Sequence, residues 1–359
     1  MTKFTPLKAE HEALGAKMVD FAGWFMPIQY EGLTAEHTTV RTKAGVFDVS
    51  HMGEIIVSGP KALETLQWTT TNDVSKLKKN EAHYSLFPNE SGGVVDDLII
   101  YCLEPNNKYL LCVNASNTDK DFAFLQKNNK GAILENVSSK WGQLAVQGPK
   151  AIEIANEVFK EDFSGLAYFT FRECQGNYVA RTGYTGEDGV EIFVPWDKTV
   201  ELWKKLLNAG ASKGLKPIGL GARDTLRTEM KYSLYGHEID DETNPYAAGL
   251  GWVVKPSAKD FIGKAKILAY KEKGLKRKLI GFKVTERGIP RQGYNLFSFD
   301  SREIGKVTSG TMSPTLNEFI GIGYVDGEFA AEGTEIAVDI RGKKIKAKVV
   351  KTPFVTVKK

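Results

Sequence analysis

Two stretches of this chain share one plan, and that plan narrows the folds open to it more than any other feature. Residues 54–67 (EIIVSGPKALETLQ) and 144–156 (LAVQGPKAIEIAN) each read as a strand, a Gly-Pro turn and a helix. Glycine supplies the turn, and proline suits the start of a helix, where its missing N–H has no intrahelical partner to lose. Two copies predict two related units, each a sheet backed by helices, rather than a solenoid of many repeats. At 359 residues the chain also exceeds the size at which a single hydrophobic core usually keeps growing.

Strand signals fall at 94–103, 109–113, 178–182 and 190–194, most of them bounded by Gly, Asn or Asp. Thr34 is placed to cap a helix through Thr42, residues 119–128 read as helical, and 198–207 put Val200, Trp203, Leu206 and Leu207 on one face. The class is therefore α+β rather than doubly wound α/β. Beyond Lys255 the composition shifts. A basic helical stretch at 261–277 leads into short strands with turn signals, and 281–359 reads as a small β barrel or sandwich.

Composition excludes several classes. Hydrophobic residues at 42% and charged residues at 26% are the balance of a globular protein, not of a disordered or fibrous one. No stretch nears the ~18 uninterrupted apolar residues of a membrane span, and the first ten residues hold charges and Pro6 in place of an apolar run. A cytoplasmic bacterial protein is expected, and a mature organellar form would look the same. A net charge of +4 is too mild for a dedicated nucleic-acid binder. Residues 341–351 (RGKKIKAKVVK) alternate basic and apolar side chains, which gives either a solvated strand face or a docking surface for an acidic partner. Cys102, Cys112 and Cys174 have no CxxC spacing, and the first two lie in apolar strand-like runs, so reduced, buried thiols are expected.

Two acids interrupt the apolar strand in residues 91–101 (SGGVVDDLIIY). Alternation puts Asp96 with Val94, Leu98 and Ile100, and Asp97 with Val95, Ile99 and Tyr101, so the carboxylates are expected to point apart. That argues against a shared-proton dyad. If both strand faces are covered, one carboxylate is buried and must be paired, hydrogen-bonded or raised in pKa; the alternative is one exposed acid and one capping a turn. In residues 181–194 (RTGYTGEDGVEIFV), Glu191 shares a face with Phe193 and opposes Val190, Ile192 and Val194. A carboxylate among aromatics is suited to a planar heterocycle bearing an amino group, which offers it two parallel N–H bonds; a salt-bridged hairpin residue is the alternative. Residues 219–227 (GLGARDTLR) read as a helix start, with Asp224 well placed for the helix dipole and Arg223 badly placed unless it meets an acidic ligand or neighbour. The third glycine of a dinucleotide fingerprint is missing there, and no GK[ST] follows the glycines at 183–189. Five histidines occur without HxH or HExxH, so no metal site is expected; His51-Met52, after an apolar run, is a possible wall of a site or ordinary core.

Taken together, residues 15–24 (GAKMVDFAGW), 47–53 (FDVSHMG), 92–97 (GGVVDD), 181–189 (RTGYTGEDG) and 221–224 (GARD) resemble the glycine cleavage T-protein family of aminomethyltransferases, and 308–315 (TSGTMSPT) and 353–355 (PFV) extend the likeness to the C-terminal end. The resemblance implies a three-domain cloverleaf with folate in its central hole: residues 1–275 as two interleaved α+β subdomains and 276–359 as a C-terminal β barrel. It implies transfer of an aminomethyl group from the lipoyl arm of H protein to tetrahydrofolate, giving methylenetetrahydrofolate, ammonia and a dithiol, by a monomer without metal or flavin and without membrane or nucleic-acid partners.

By motif position, Asp97 corresponds to the family's essential carboxylate and Tyr101 to a folate contact on the same strand face. Glu191 corresponds to the residue holding the pterin edge, Met52 and Tyr184 to ring contacts, and Arg223 and Trp252 to residues farther along the folate; Tyr84 is carried over with them. On this reading loss of Asp97 abolishes turnover and loss of Asp96 leaves most of it. The family's C-terminal tyrosine contact has no counterpart, since the chain reads TVKK at 356–359. Two alternatives share the scaffold. Sarcosine and dimethylglycine dehydrogenases carry a flavin fingerprint absent here, and folate-binding iron–sulfur assembly factors have Lys-Gly-Cys-Tyr-x-Gly-Gln-Glu where this chain has RTGYTGED.

Overall fold

The computed structural model describes residues 2–357; Met1, Lys358 and Lys359 lie outside the described residues, and with them the outer end of the tail lacking the family tyrosine. The first copy of the repeat is the strand Gly53–Ser58 and the helix Ala62–Thr69, and the second is the strand Trp141–Gln147 and the helix Ala151–Phe159. Gly59 and Gly148 both take positive φ, at 89° and 124°. In each copy the N–H of the first helical alanine, Ala62 or Ala151, donates to that glycine's carbonyl at 2.9 Å. The helices begin two residues beyond Pro60 and Pro149, with Lys61 and Lys150 as caps, so the prolines shape the turns and do not open the helices.

The copies lie in different sheets. Gly53–Ser58 belongs to a five-stranded sheet of order Ala82–Pro88, Val94–Glu104, Lys108–Val113, Gly53–Ser58, Ile133–Asn136. Trp141–Gln147 belongs to a six-stranded sheet of order Phe171–Cys174, Asn177–Ala180, Gly189–Pro195, Trp141–Gln147, Ala44–Asp48, Leu215–Pro217. Ala44–Asp48 precedes the first copy yet pairs with the second, so the two units interleave.

Alternation then sorts the side chains. Val190, Ile192 and Val194 pack under the helices Ala151–Phe159 and Thr199–Gly210 with Ile154, Trp203 and Leu206. Leu98, Ile100 and Leu111 pack with Leu66 and Leu125 of the helices over the other sheet. The opposite faces meet each other, Tyr101, Leu110 and Cys112 against Phe171, Ala180 and Phe193. The two sheets are thus stacked with helices outside, and all three cysteines are buried and free.

A closed barrel follows, in the order Arg277–Val284, Glu318–Asp326, Glu303–Ser313, Asn295–Phe297, Glu335–Ile340, Lys343–Val350. The choice between barrel and sandwich is settled by closure, which leaves no sheet edge unpaired. In its last strand Lys343, Lys344, Lys346 and Lys348 are exposed while Ala347 and Val349 enter the barrel core.

Two helix expectations need correction. The helix Leu33–Thr42 starts one residue before Thr34, and its entry is held by Glu36, whose Oε1 accepts from the N–H groups of Tyr30 and Gly32 at 2.6 and 3.0 Å. The basic helix runs only Lys264–Glu272, because Gly274 takes positive φ and Arg277 already pairs in the barrel. No helix among the described residues is long and apolar enough to cross a membrane.

Candidate active site

Where the two stacked sheets meet the helix Leu220–Glu229, the segment 230–237 and the tail at Thr352 and Pro353, the chain encloses a cavity of about 820 Å³. Met52, Tyr84, Asp97, Tyr184, Glu191, Arg223 and Trp252 all stand in its wall. Tyr101 does not. It is 1% exposed between Phe171 and Phe193, and its hydroxyl lies 3.3 Å from that of Thr182, which donates to Glu191 Oε2 at 2.6 Å. The residue expected as a contact therefore supports Glu191 from behind, since four residues along the strand from Asp97 carry it into the layer between the sheets.

Asp97 stands in the cavity wall and Asp96 on the other side of the strand, as alternation suggests, yet one residue links them. The neighbouring strand makes its last pair at Val113 with Leu98, leaving the edge beside both acids open. Asn114 fills that edge and reaches both faces: its Nδ2 donates to Asp96 Oδ1 at 2.9 Å and to Asp97 Oδ1 at 2.8 Å, and its backbone N–H donates to Asp96 Oδ2 at 3.1 Å. Tyr84 completes Asp97 by donating to Oδ2 at 2.9 Å. Burial, then the nearby Asp96 charge, push the Asp97 carboxyl up to about 7, against the hydrogen bonds from Tyr84 and Asn114. A carboxyl poised there can take or give a proton at neutral pH.

The opposite wall is built by the glycine-rich segment after the strand Asn177–Ala180. Arg181 grips Asp188 through two nitrogens, at 3.0 and 2.7 Å, and closes the loop so that Thr182 and Tyr184 face inward. Burial pushes the Glu191 carboxyl above its usual range, with the Thr182 hydrogen bond and the Arg223 charge opposing. Only one Glu191 oxygen has a donor from the described residues, so the other is left to the cavity. Arg223 lies 4.6 Å from the centre of the Tyr184 ring and has no acceptor among the described residues. The glycine beginning its helix is needed for packing: a Cβ at Gly219 would sit 2.4 Å from the Ile28 carbonyl. At the rim Tyr84 stacks on Trp252, with centroids 5.8 Å apart and planes at 19°. Trp252 is 58% exposed and stands in the cavity wall, so its ring is open to a planar ligand.

The same helix holds the barrel to the cavity. Arg227 donates to Glu238 at 2.9 Å and to Ser309 of the barrel at 2.7 Å. Glu229 accepts from Arg41 at 2.7 Å and from Thr315 at 2.9 Å, and its backbone carbonyl accepts from Phe354 N–H at 2.8 Å.

Comparison with known proteins agrees with this architecture. Residues 7–258 match the model of the GCVT N-terminal domain, and residues 277–356 that of the glycine cleavage T-protein C-terminal barrel domain. The chain belongs to the glycine cleavage T-protein family. It is 62% identical to an aminomethyltransferase of Bdellovibrio bacteriovorus, over 99% of each chain. It is 50% identical to that of Bacteroides thetaiotaomicron, over 98% of this chain and 99% of the other. The crystal structure of glycine cleavage system aminomethyltransferase T from Bartonella henselae superposes with a TM-score of 0.94 at 38% identity, covering 99% of this chain and 98% of that one.

Within this T-protein fold Asn114 is not legible from motifs, whereas His51, a candidate wall residue beside Met52, stands in the wall. Asn114 follows a strand in an Asn/Ser-rich turn, whose composition signals a loop but not a bridge between two acids. His51 is buried in the wall, its Nδ1 unpartnered among the described residues. Burial and then the Arg223 charge hold its ring down at about 4, so it is a neutral imidazole at physiological pH. No three His, Cys, Asp or Glu side chains among the described residues cluster as a metal ion would require.

Proposed function

We propose that the cavity is the tetrahydrofolate site of an aminomethyltransferase, where an aminomethyl group borne on the lipoyl arm of H protein passes to tetrahydrofolate. Family membership and full-length identity make the chain an aminomethyltransferase of the glycine cleavage system; the acceptor, the carrier and the residue roles are our reading. One observation carries it: a single cavity holds a carboxyl raised to about 7, Asp97, and a second buried carboxyl, Glu191, with an oxygen free to accept.

Glu191 accepts the paired N–H groups of the aminopterin edge, which a planar, charge-assisted contact fixes in orientation. Met52 and Tyr184 flank the ring, the Tyr84–Trp252 stack covers it at the rim, and the free guanidinium of Arg223 meets the acidic end of the molecule. Asp97 takes a proton from the folate amine as that nitrogen attacks the aminomethyl carbon. Of the two protons the folate nitrogens give up, one leaves with ammonia and the other ends on the lipoyl sulfur, so atoms and charge balance. Most of the acceleration comes from holding two bulky carriers in register. In this division residues 1–275 bind folate and residues 276–359 form the barrel that closes the cavity.

The test is methylenetetrahydrofolate formation from aminomethyl-loaded H protein and tetrahydrofolate. Wild-type turnover that falls by roughly 10²–10⁴-fold in Asp97→Asn supports the reading. Folate binding without any wild-type turnover would overturn it in favour of a folate-binding assembly role.

A further inference from the structure

Behind Asp97, outside the cavity wall, lies a second layer of acids that the proposed reaction does not use. Asp121 projects from the helix Thr118–Lys127 with no exposed surface, and neither of its carboxyl oxygens has an N–H or O–H donor among the described residues. Asp96, itself fully buried, is the group that acts on it most strongly. Asp96 is supplied with N–H donors: Asn114 N at 3.1 Å, Asn114 Nδ2 at 2.9 Å and Asn117 Nδ2 at 2.7 Å. Two strongly interacting carboxyls in a dry interior cannot both be ionised. The one surrounded by donors is the acceptor, and the one without them keeps the proton.

This matters because the Asn114 amide has two hydrogens and uses one on each acid, Asp96 and Asp97. Its plane is fixed only while Asp96 stays put. We propose that Asp121 is a positioning residue that stays protonated and donates to Asp96, so that Asp96 and Asn114 together fix the orientation and basicity of Asp97; this rests on the role given to Asp97 above. Burial first, then the charge and contact of Asp96, push the Asp121 carboxyl up to about 11, with Asp97 adding and Lys120 opposing. Lys120 is occupied elsewhere, donating to the Val95 carbonyl at 2.6 Å and the Tyr235 hydroxyl at 2.8 Å. Of the acids on the two strands packed beneath this helix, Glu54 acts on Cys112 and Tyr101, and Glu135 lies on the surface 4.0 Å from Lys140.

Two substitutions in the full chain separate the proton from the side chain's bulk. Asp121→Asn offers an N–H where the O–H stood and should keep turnover within about threefold, with the acid limb of the pH profile unmoved. Asp121→Leu removes the donor, so Asp96 is free to shift and Asn114 no longer holds Asp97 in one orientation. We expect kcat to fall at least tenfold with little change in the KM for tetrahydrofolate, and the acid limb to move to higher pH as the Asn114 hydrogen bond that lowers Asp97 is loosened. An infrared difference between wild type and Asp121→Asn at pH 8 should contain the C=O stretch of a protonated carboxyl. Absence of that band, or an Asp121→Leu enzyme with wild-type kcat and pH profile, overturns the proposal. The infrared result needs no turnover, so it decides the state of Asp121 even if the transferase reading itself fails and if Asp121→Leu does not fold.

Discussion

Asp97 has an unusual job for a carboxyl, because the burial and neighbouring charge that raise it to about 7 also make its ionised form costly in the folded protein. Its folded pKa lies above the unfolded value near 4, so folding is favoured most below pH ~4 and loses stability as pH rises through ~7. Asp97→Asn cannot ionise and escapes that cost. It should therefore melt higher than wild type at pH 8, and by a larger margin than at pH 5, while being inactive; equal margins at both pH values would mean the carboxyl titrates normally. Turnover by wild type should fall on the acid side of pH ~7 for the same reason. Glu191→Gln should keep the Thr182 contact but lose a charge-assisted bond to the pterin edge, worth ~1.5–3 kcal/mol, seen in a binding titration as a Kd for tetrahydrofolate raised roughly 10–100-fold. Asp96→Asn should not be a quiet control, since an amide there turns N–H against the donors of Asn114 and Asn117. The residue types at the site were readable because acids inside an apolar strand are conspicuous. Their neighbours were not, because Asn114 reaches Asp96 and Asp97 only where the pairing of the next strand stops, a tertiary fact that no local pattern encodes.

At the scale of elements the repeat was legible because strand, Gly-Pro turn and helix are each specified locally, and the two turns close with the same hydrogen bond. The ends of elements were less so. The basic run at 261–277 has the composition of one helix, but barrel pairing from Arg277 takes its last residue into a strand. Equivalence of the two turns is also local only. A Cβ at Gly59 would meet nothing nearer than the Ile133 side chain at 3.6 Å, whereas one at Gly148 would lie 2.6 Å from the Val40 carbonyl and 2.7 Å from that of Lys43. Gly59→Ala should thus cost only the left-handed backbone penalty of ~1–2 kcal/mol. Gly148→Ala adds a backbone clash where the six-stranded sheet meets the helix Leu33–Thr42 and should be clearly worse. Urea denaturation of the two variants checks this, and equal losses would mean the second turn has room to shift.

Across the whole molecule, the tail that leaves the barrel at Thr352 and Pro353 reaches the cavity wall only if the barrel is held against the helix that carries Arg223, and Glu229 is one side chain through which that hold passes. Its carboxylate, fully buried, takes hydrogen bonds from Arg41 of one unit and from Ser313 and Thr315 of the barrel, with His37 3.2 Å away. Burial opposes ionisation there, yet contact with His37, the Ser313 hydroxyl and the Arg41 charge outweigh it and hold the carboxyl at about 2. A depressed folded pKa gives stability that is complete above the unfolded value near 4.3 and is lost as pH falls toward ~2. Glu229→Gln leaves Arg41 with Glu187, 2.9 Å away, as its remaining carboxylate partner and should cost ~1.5–3 kcal/mol at pH 7, the worth of a charged hydrogen bond. The deficit relative to wild type should stay level from pH 7 to about 5 and shrink as acid protonates the wild-type carboxylate. Thermal unfolding of both proteins across that range measures it. A deficit independent of pH would trace the loss to the shape of the side chain, whereas one that closes in acid identifies the ionised carboxylate as one of the ties between the two sheet-and-helix units and the barrel.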